Sequence, residues 1–263
     1  MMRWGGSRGN RTGFVMCLVA LAWLLAGCAA EVVPGGNLAE ANRLYEAGDF
    51  AGAAIAYEDL ADAGVVDGVL YYNLGNAYFK AGDLGRAILN YRRATRLLPR
   101  DADIATNLHL ARAQTLDRLE DGKPGAAALL RRSLADWVTL NEAAMAALIL
   151  WAMLCILGAA AIRWPRVRRR LPYGMAVVVA LFAVALLSAG IHVWDRQANP
   201  PAVVIAGETE ARSGPGADYL LEFTLHAGAE ITVLEMRGDW ARIGLPGNLQ
   251  GWVPAEGVEP LSN

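Results

Sequence analysis

The chain has 263 residues, 55% of them hydrophobic, and a formal net charge of -2. That apolar share is above the usual soluble range, so a membrane-embedded part is expected, while the balanced charge and the lack of a polybasic tail argue against a nucleic-acid binder. Three cysteines, Cys17, Cys28 and Cys155, all lie in or beside apolar runs, which makes a disulfide framework and a zinc site improbable.

Residues 1–28 read as an export signal. Arg3, Arg8 and Arg11 form a basic start, and residues 14–26 are an apolar run of signal-core length. The run ends in Leu25-Ala26-Gly27-Cys28, which resembles the lipobox of bacterial lipoproteins. That resemblance implies lipidation of the Cys28 thiol, with Cys28 as the first mature residue. An ordinary cleaved signal or an uncleaved anchor is the alternative.

Residues 37–120 repeat themselves at a shift of 34. Ala41 falls on Gly75, Asn42 on Asn76, Gly48-Asp49 on Gly82-Asp83, Ala53 on Ala87 and Tyr57 on Tyr91. This period and the run from Tyr71 to Asp83, continued by Ala87, Tyr91, Ala94 and Pro99, resemble the tetratricopeptide repeat family. An all-α domain of paired helices follows. Gly75 and Ala87 permit close helix approach, Tyr78 and Tyr91 fill the space between, Gly82-Asp83 turns the chain and Pro99 stops the second helix. A third helix over about 103–119 should cap the stack through Ile104, Leu108, Ala111 and Leu116. The resemblance implies a concave face that binds peptides or proteins, presenting Asn42, Tyr45, Glu46, Tyr72, Asn73, Asn76, Phe79 and Lys80. Tyr72 and Phe79 are equally suited to packing between repeats. Asn42 and Asn73 match two positions of a carboxylate clamp, but Leu38 stands where its lysine belongs, so that reading is set aside.

Residues 121–142 form a linker, within which 126–136 is an apolar and basic stretch suited to a membrane surface. Residues 143–162 are uncharged, and about 20 residues rising ~1.5 Å each span the ~30 Å of a hydrocarbon core. A second such run covers 173–194. Between them, residues 163–172 hold Arg163, Arg166, Arg168, Arg169 and Arg170. Short Arg-rich loops stay in the cytoplasm, so the two spans form a hairpin with its tip inside and both flanking domains outside. The export signal places the first domain outside by an independent route. Two spans without internal charges offer no transport pathway.

From residue 200 to 263 the composition changes to short β-type runs broken by Gly and Pro. Ala211-Arg212-Ser213-Gly214-Pro215-Gly216, Gly228, Ile231-Thr232-Val233, Asp239-Trp240, Ile243 and Gly251-Trp252-Val253 resemble the bacterial SH3 family, an all-β barrel. That resemblance implies a groove for peptidoglycan or short peptides near Arg212, Tyr219, Trp240 and Trp252. Trp240 and Trp252 equally suit a core.

No catalytic, cofactor or metal set is found. His109, His192 and His226 fall in three separate segments without a nucleophile or carboxylate partner, and no phosphate loop, zinc-protease motif or nucleophile elbow is present. The reading is therefore a multidomain protein of the bacterial cytoplasmic membrane, non-enzymatic, with repeats and barrel on the outer side. The order of signal, repeats, Arg-tipped hairpin and SH3 domain, with Asn107-Leu108-His109-Leu110-Ala111-Arg112 and Asp117-Arg118-Leu119-Glu120, resembles the Bat aerotolerance family. It implies membrane-anchored von Willebrand factor A proteins as partners, a MoxR-type ATPase indirectly, and a scaffold role in oxygen tolerance or envelope stress. A tether or sensor that grips peptidoglycan through the SH3 domain is the alternative.

Overall fold

The computed structural model describes residues 35–117, 139–164, 171–198 and 200–261. Five helices come first: α1 Gly35–Glu46, α2 Phe50–Asp62, α3 Gly68–Ala81, α4 Leu84–Leu97 and α5 Ala102–Ala113. Four of them start on an aspartate whose carboxylate accepts backbone N–H groups of the first turn. Asp49 caps α2, Asp67 α3, Asp83 α4 and Asp101 α5. Such a cap satisfies donors that have no partner inside the helix. Asp49 and Asp83 are related by the repeat shift, as are Asp67 and Asp101, so the caps set the register of the repeat. Gly48 and Gly82, also related by the shift, turn the chain at positive φ of 82° and 86°.

Consecutive helices pack into one core. Ala41, Ala53, Ala77 and Ala87 are fully buried at the close approaches, and Tyr57, Leu60, Leu74 and Tyr91 fill the spaces between. Ile104, Leu108 and Ala111 of α5 cover the open end, as expected of a capping helix. Leu116 does not: the helix stops at Ala113 and Leu116 is exposed. Beyond the helix, Asp117 is drawn to the C-terminal domain, where its carboxylate accepts from the His226 backbone N–H at 2.6 Å. That tie takes the chain off the helical path before Leu116 can reach the core.

Two long helices follow, α6 Leu140–Arg163 and α7 Leu171–Ala198, packed against each other. Thr139 opens α6 with a reciprocal cap: its hydroxyl accepts from the Glu142 backbone N–H, and the Glu142 carboxylate accepts from the Thr139 N–H. Both helices are long and apolar enough to cross a membrane, and only 6% and 17% of their most apolar stretches are buried within the protein.

The remaining residues form one antiparallel sheet of seven strands: β1 Pro201–Val204, β2 Glu208–Arg212, β3 Leu221–His226, β4 Glu230–Arg237, β5 Trp240–Gly244, β6 Gln250–Pro254 and β7 Val258–Pro260. The strand order is β3-β2-β6-β5-β4-β1-β7. Ala202, Val204, Ala211, Leu225, Ile231, Ala241, Ile243 and Val253 alternate inward and meet in a single core joined by Phe223, Val233 and Val258. Side chains from both edges of the sheet reach that core, so the sheet is curled. Bulges at Ala211/Arg212 and Val233/Glu235 sharpen the bend.

From Asn37 onward the described residues belong to one compact unit, and helical repeats and sheet share part of their packing. Val203 and Leu261 are buried in the same cluster as the repeat helices. Gly85 of α4 faces the backbone of Val204 and Ile205 so closely that a Cβ there would lie 2.8 Å from the Val204 carbonyl oxygen. Arg93 binds Glu259 at 2.9 Å, and Arg112 holds Glu230 through two nitrogens at 2.5 and 2.9 Å.

Candidate functional site

The first helix of each repeat presents its polar face to a shared groove. A cleft of about 120 Å³ lies there, lined by Asn42, Tyr45 and Glu46 of α1, Tyr57 of α2, and Asn73 and Asn76 of α3. Within it the two repeats build the same hydrogen bond twice. The Tyr57 hydroxyl donates to Asn42 Oδ1 at 2.7 Å, and the Tyr91 hydroxyl donates to Asn76 Oδ1 at 2.7 Å. The cap helix adds Asn107, whose amide donates to Asn76 Oδ1 at 2.8 Å and to the Tyr72 hydroxyl at 3.0 Å. Burial is the main cause that holds the Tyr57 and Tyr91 phenols above the ordinary tyrosine value, and nearby tyrosines add to it. These hydroxyls therefore stay protonated and act as donors.

The groove residues named from the sequence divide into two kinds. Asn42 and Asn76 are held by the tyrosines of their own repeats, and the Tyr72 and Phe79 rings pack against the repeat core. Tyr72 stands 6.1 Å from the Tyr91 ring. Asn73 and Glu46 line the cleft, and Lys80 is exposed on the last turn of α3. Asn73 and Lys80 make no side-chain hydrogen bond among the described residues, and of the two only Asn73 lines the cleft. Tyr45, which lines the cleft, forms a T-shaped ring pair with Phe50 at 5.3 Å. Tyr57 and Asn107 were not singled out as groove residues. The pairs Asn42/Tyr57 and Asn76/Tyr91, each fifteen residues apart and related by the repeat shift of 34, are the available signal.

In the sheet domain, Arg212, Trp252 and Arg242 lie side by side on β2, β6 and β5. Arg212 is turned inward on its own loop: its guanidinium donates to the carbonyls of Ala217 and Tyr219 at 2.6 and 2.8 Å and pairs with Glu210. The Tyr219 ring, half exposed, lies over Gly214 and Gly216, where a side chain at Gly214 would collide with it. Trp252 is buried beneath the Arg237 and Arg242 guanidinium groups, 5.2 and 6.0 Å from its ring centre. Glu235 holds both of those arginines. Trp240 is partly exposed, two residues along β5 from Arg242. Arg212, Tyr219 and Trp252 thus come together, but two of the three are covered by the protein's own groups.

Arg163 is exposed at the end of α6. Cys28, Arg166, Arg168, Arg169, Arg170 and the stretch 126–136 lie outside the described residues. Among the described residues, no cluster of His, Cys, Asp and Glu has the arrangement of a metal site.

Residues 75–115 match the family model of a TPR repeat, and residues 208–259 match that of a bacterial SH3 domain. No curated protein matches the chain. A TPR repeat together with a bacterial SH3 domain points to binding of proteins or of cell wall, and the SH3 domain suggests a location outside the cytoplasm.

Proposed function

We propose that this chain is a non-enzymatic, membrane-anchored scaffold of the bacterial envelope whose repeat groove holds a segment of a protein partner. The hairpin of α6 and α7 crosses the cytoplasmic membrane with its Arg-rich tip inside, and the repeats and the SH3 domain stand outside. The cleft lined by Asn42, Tyr45, Glu46, Tyr57, Asn73 and Asn76 carries this reading. It offers amides, phenols and one carboxylate at the spacing of successive repeats, a chemistry suited to the backbone of an extended peptide. By resemblance to the Bat aerotolerance family, and to its BatE-type members in particular, the partners are membrane-anchored von Willebrand factor A proteins, with a MoxR-type ATPase linked indirectly.

A second reading is a wall tether, in which the SH3 domain grips peptidoglycan. The match to the bacterial SH3 family favours it. Against it stands the engagement of Arg212 by its own loop and of Trp252 by Arg237 and Arg242.

The test is a photo-crosslinking amino acid placed at residue 46 in the full chain, followed by purification from membranes and identification of what is bound. A von Willebrand factor A protein, lost when Asn73→Ala and Lys80→Ala are combined, is the expected result. Asn73 and Lys80 are chosen over Asn76 because Asn76 also supports Tyr91 and Asn107. Muropeptides retained on the SH3 domain, with nothing crosslinked at the groove, would establish the tether instead.

A further inference from the structure

Both long apolar helices meet the rest of the protein at the same end of the repeats. Arg100, in the turn between α4 and α5, donates to the two carboxylate oxygens of Glu142 at 3.0 and 3.2 Å. Glu142 is the third residue of α6 and the last charge before the uncharged run of residues 143–162. The return of α7 is located by β1. Gly85, in the first turn of α4, faces Val204 and Ile205. About two turns further along α4, Arg93 donates to the carbonyl of Pro260, which stands opposite Ala202. Rising number along α4 thus meets falling number along β1, so Pro201, the first residue of β1, lies toward the α4 C-terminus. Only residues 199 and 200 separate β1 from α7.

Exposed aliphatic side chains gather at that end. Helix α3 runs opposite to α4, which brings its start beside the end of α4: a Cβ at Gly68 would lie 2.6 Å from the Leu98 side chain and 3.2 Å from that of Leu97. Val66 and Val69, on either side of Gly68, are 67% and 55% exposed, and Leu97 and Leu98 are 37% and 36% exposed. Residues from two separate turns therefore make one patch, and Leu98 stands two positions from Arg100. Carboxylates surround it, since Asp62, Asp67, Asp101 and Asp103 at the same helix ends are all exposed.

We propose that this end of the repeats, through Val66, Val69, Leu97 and Leu98, rests on the outer surface of the bilayer that α6 and α7 cross, on lipid with zwitterionic headgroups. This inference depends on the membrane-anchored reading above. The bond between Arg100 and Glu142 sets the level, because Glu142 marks where α6 enters the apolar layer. Aliphatic side chains held at that level lose contact with water when they enter the headgroup region. The surrounding aspartates repel anionic lipid, and they suit a zwitterionic headgroup, whose cation is its outermost group. The repeat domain is then held at the membrane by lipid as well as by α6.

The full chain in phosphatidylcholine nanodiscs tests this, with an environment-sensitive fluorescent amino acid placed in turn at residues 66, 116 and 181. Leu181 lies within the apolar stretch of α7, and Leu116, 75% exposed, follows the far end of α5. The expected result is blue-shifted emission at 181 and 66, with quenching at 66 by nitroxide on the lipid headgroups, and water-like emission without quenching at 116. Replacing part of the phosphatidylcholine by phosphatidylglycerol should weaken the quenching at 66, and unchanged or stronger quenching would overturn the zwitterionic preference. Position 69, also exposed, repeats the measurement should the probe at 66 disturb its turn. Water-like emission at 66 and 69 with 181 in hydrocarbon would overturn the lipid contact alone. A blue shift at 66 without nitroxide quenching would mean that protein covers the patch, which also overturns it. Water-like emission at 181 would remove the membrane anchor and this proposal with it.

Discussion

At Gly75 the ring of Tyr91 leaves no room for a methyl group. A Cβ there would stand 2.7 Å from the ring and 3.3 Å from the Ala87 carbonyl oxygen. One repeat earlier the same position is Ala41, so the second repeat is the more tightly closed. Gly75→Ala should destabilise the repeats by ~1–3 kcal/mol, since an overfilled core displaces rings or backbone. Thermal unfolding followed by helical circular dichroism measures it, and an unchanged midpoint would mean that Tyr91 swings aside freely. The tyrosines also set a limit at high pH. Burial, then the hydrogen bond to Glu58, raises the Tyr78 phenol above its ordinary value of 10.0, and burial, then Tyr72, raises Tyr91 likewise. Phenols that ionise less readily folded than unfolded contribute stability that is complete below pH 10 and is lost as pH climbs beyond it. Helical signal should therefore fall together with the rise of tyrosinate absorbance, and Tyr91→Phe should shift the loss to higher pH. The identity of these tyrosines was readable from the repeat. Their bonds to Asn42 and Asn76 were not, because each crosses a turn whose geometry the spacing alone does not define.

The helices show the same division between what local chemistry dictates and what distant contacts decide. Gly48-Asp49 and Gly82-Asp83 mark helix boundaries in the sequence, and the structure places left-handed glycine and capping aspartate at each. Asp67 makes a cap of the same kind to the N–H groups of Val69 and Leu70, without a side-chain ion pair among the described residues. Asp67→Ala should lower stability by about 1 kcal/mol. Urea denaturation checks this, and Asp67→Asn, which keeps an acceptor, should lose much less. At α5 a tertiary contact overrides the local pattern. Periodicity favoured a helix that carried Leu116 inward, yet the carboxylate of Asp117 is claimed by His226, 109 residues away, and the helix ends early. No window of sequence around residue 116 contains that information.

Across the whole molecule, the most consequential residue is one that the sequence does not advertise. Gly85 occupies an ordinary place in an amphipathic helix, but the backbone of β1 runs directly against it. Gly228, on the opposing surface, is similarly confined by Thr115 and Ile88. Gly85→Leu should separate the two domains while leaving each folded. Amide exchange should then rise at residues 203–205 and 228–230, with little change inside α2 and α3, and unaltered protection would show that the interface tolerates the side chain. Ion pairs at its edge, Arg93 with Glu259 and Arg112 with Glu230, join residues too far apart for charge pattern to reveal. The family resemblances told which domains were present, but not that they share a core. That shared core has a kinetic corollary. Gly85 and Val204 are 119 positions apart (204 minus 85), with both long apolar helices between them. Contacts of such separation form late, after the local helical turns have already condensed. If α6 and α7 enter the bilayer in between, integration of the hairpin must come before docking. The seam between α4 and β1 would then close last during biogenesis, and its closure would certify that the chain had been threaded correctly.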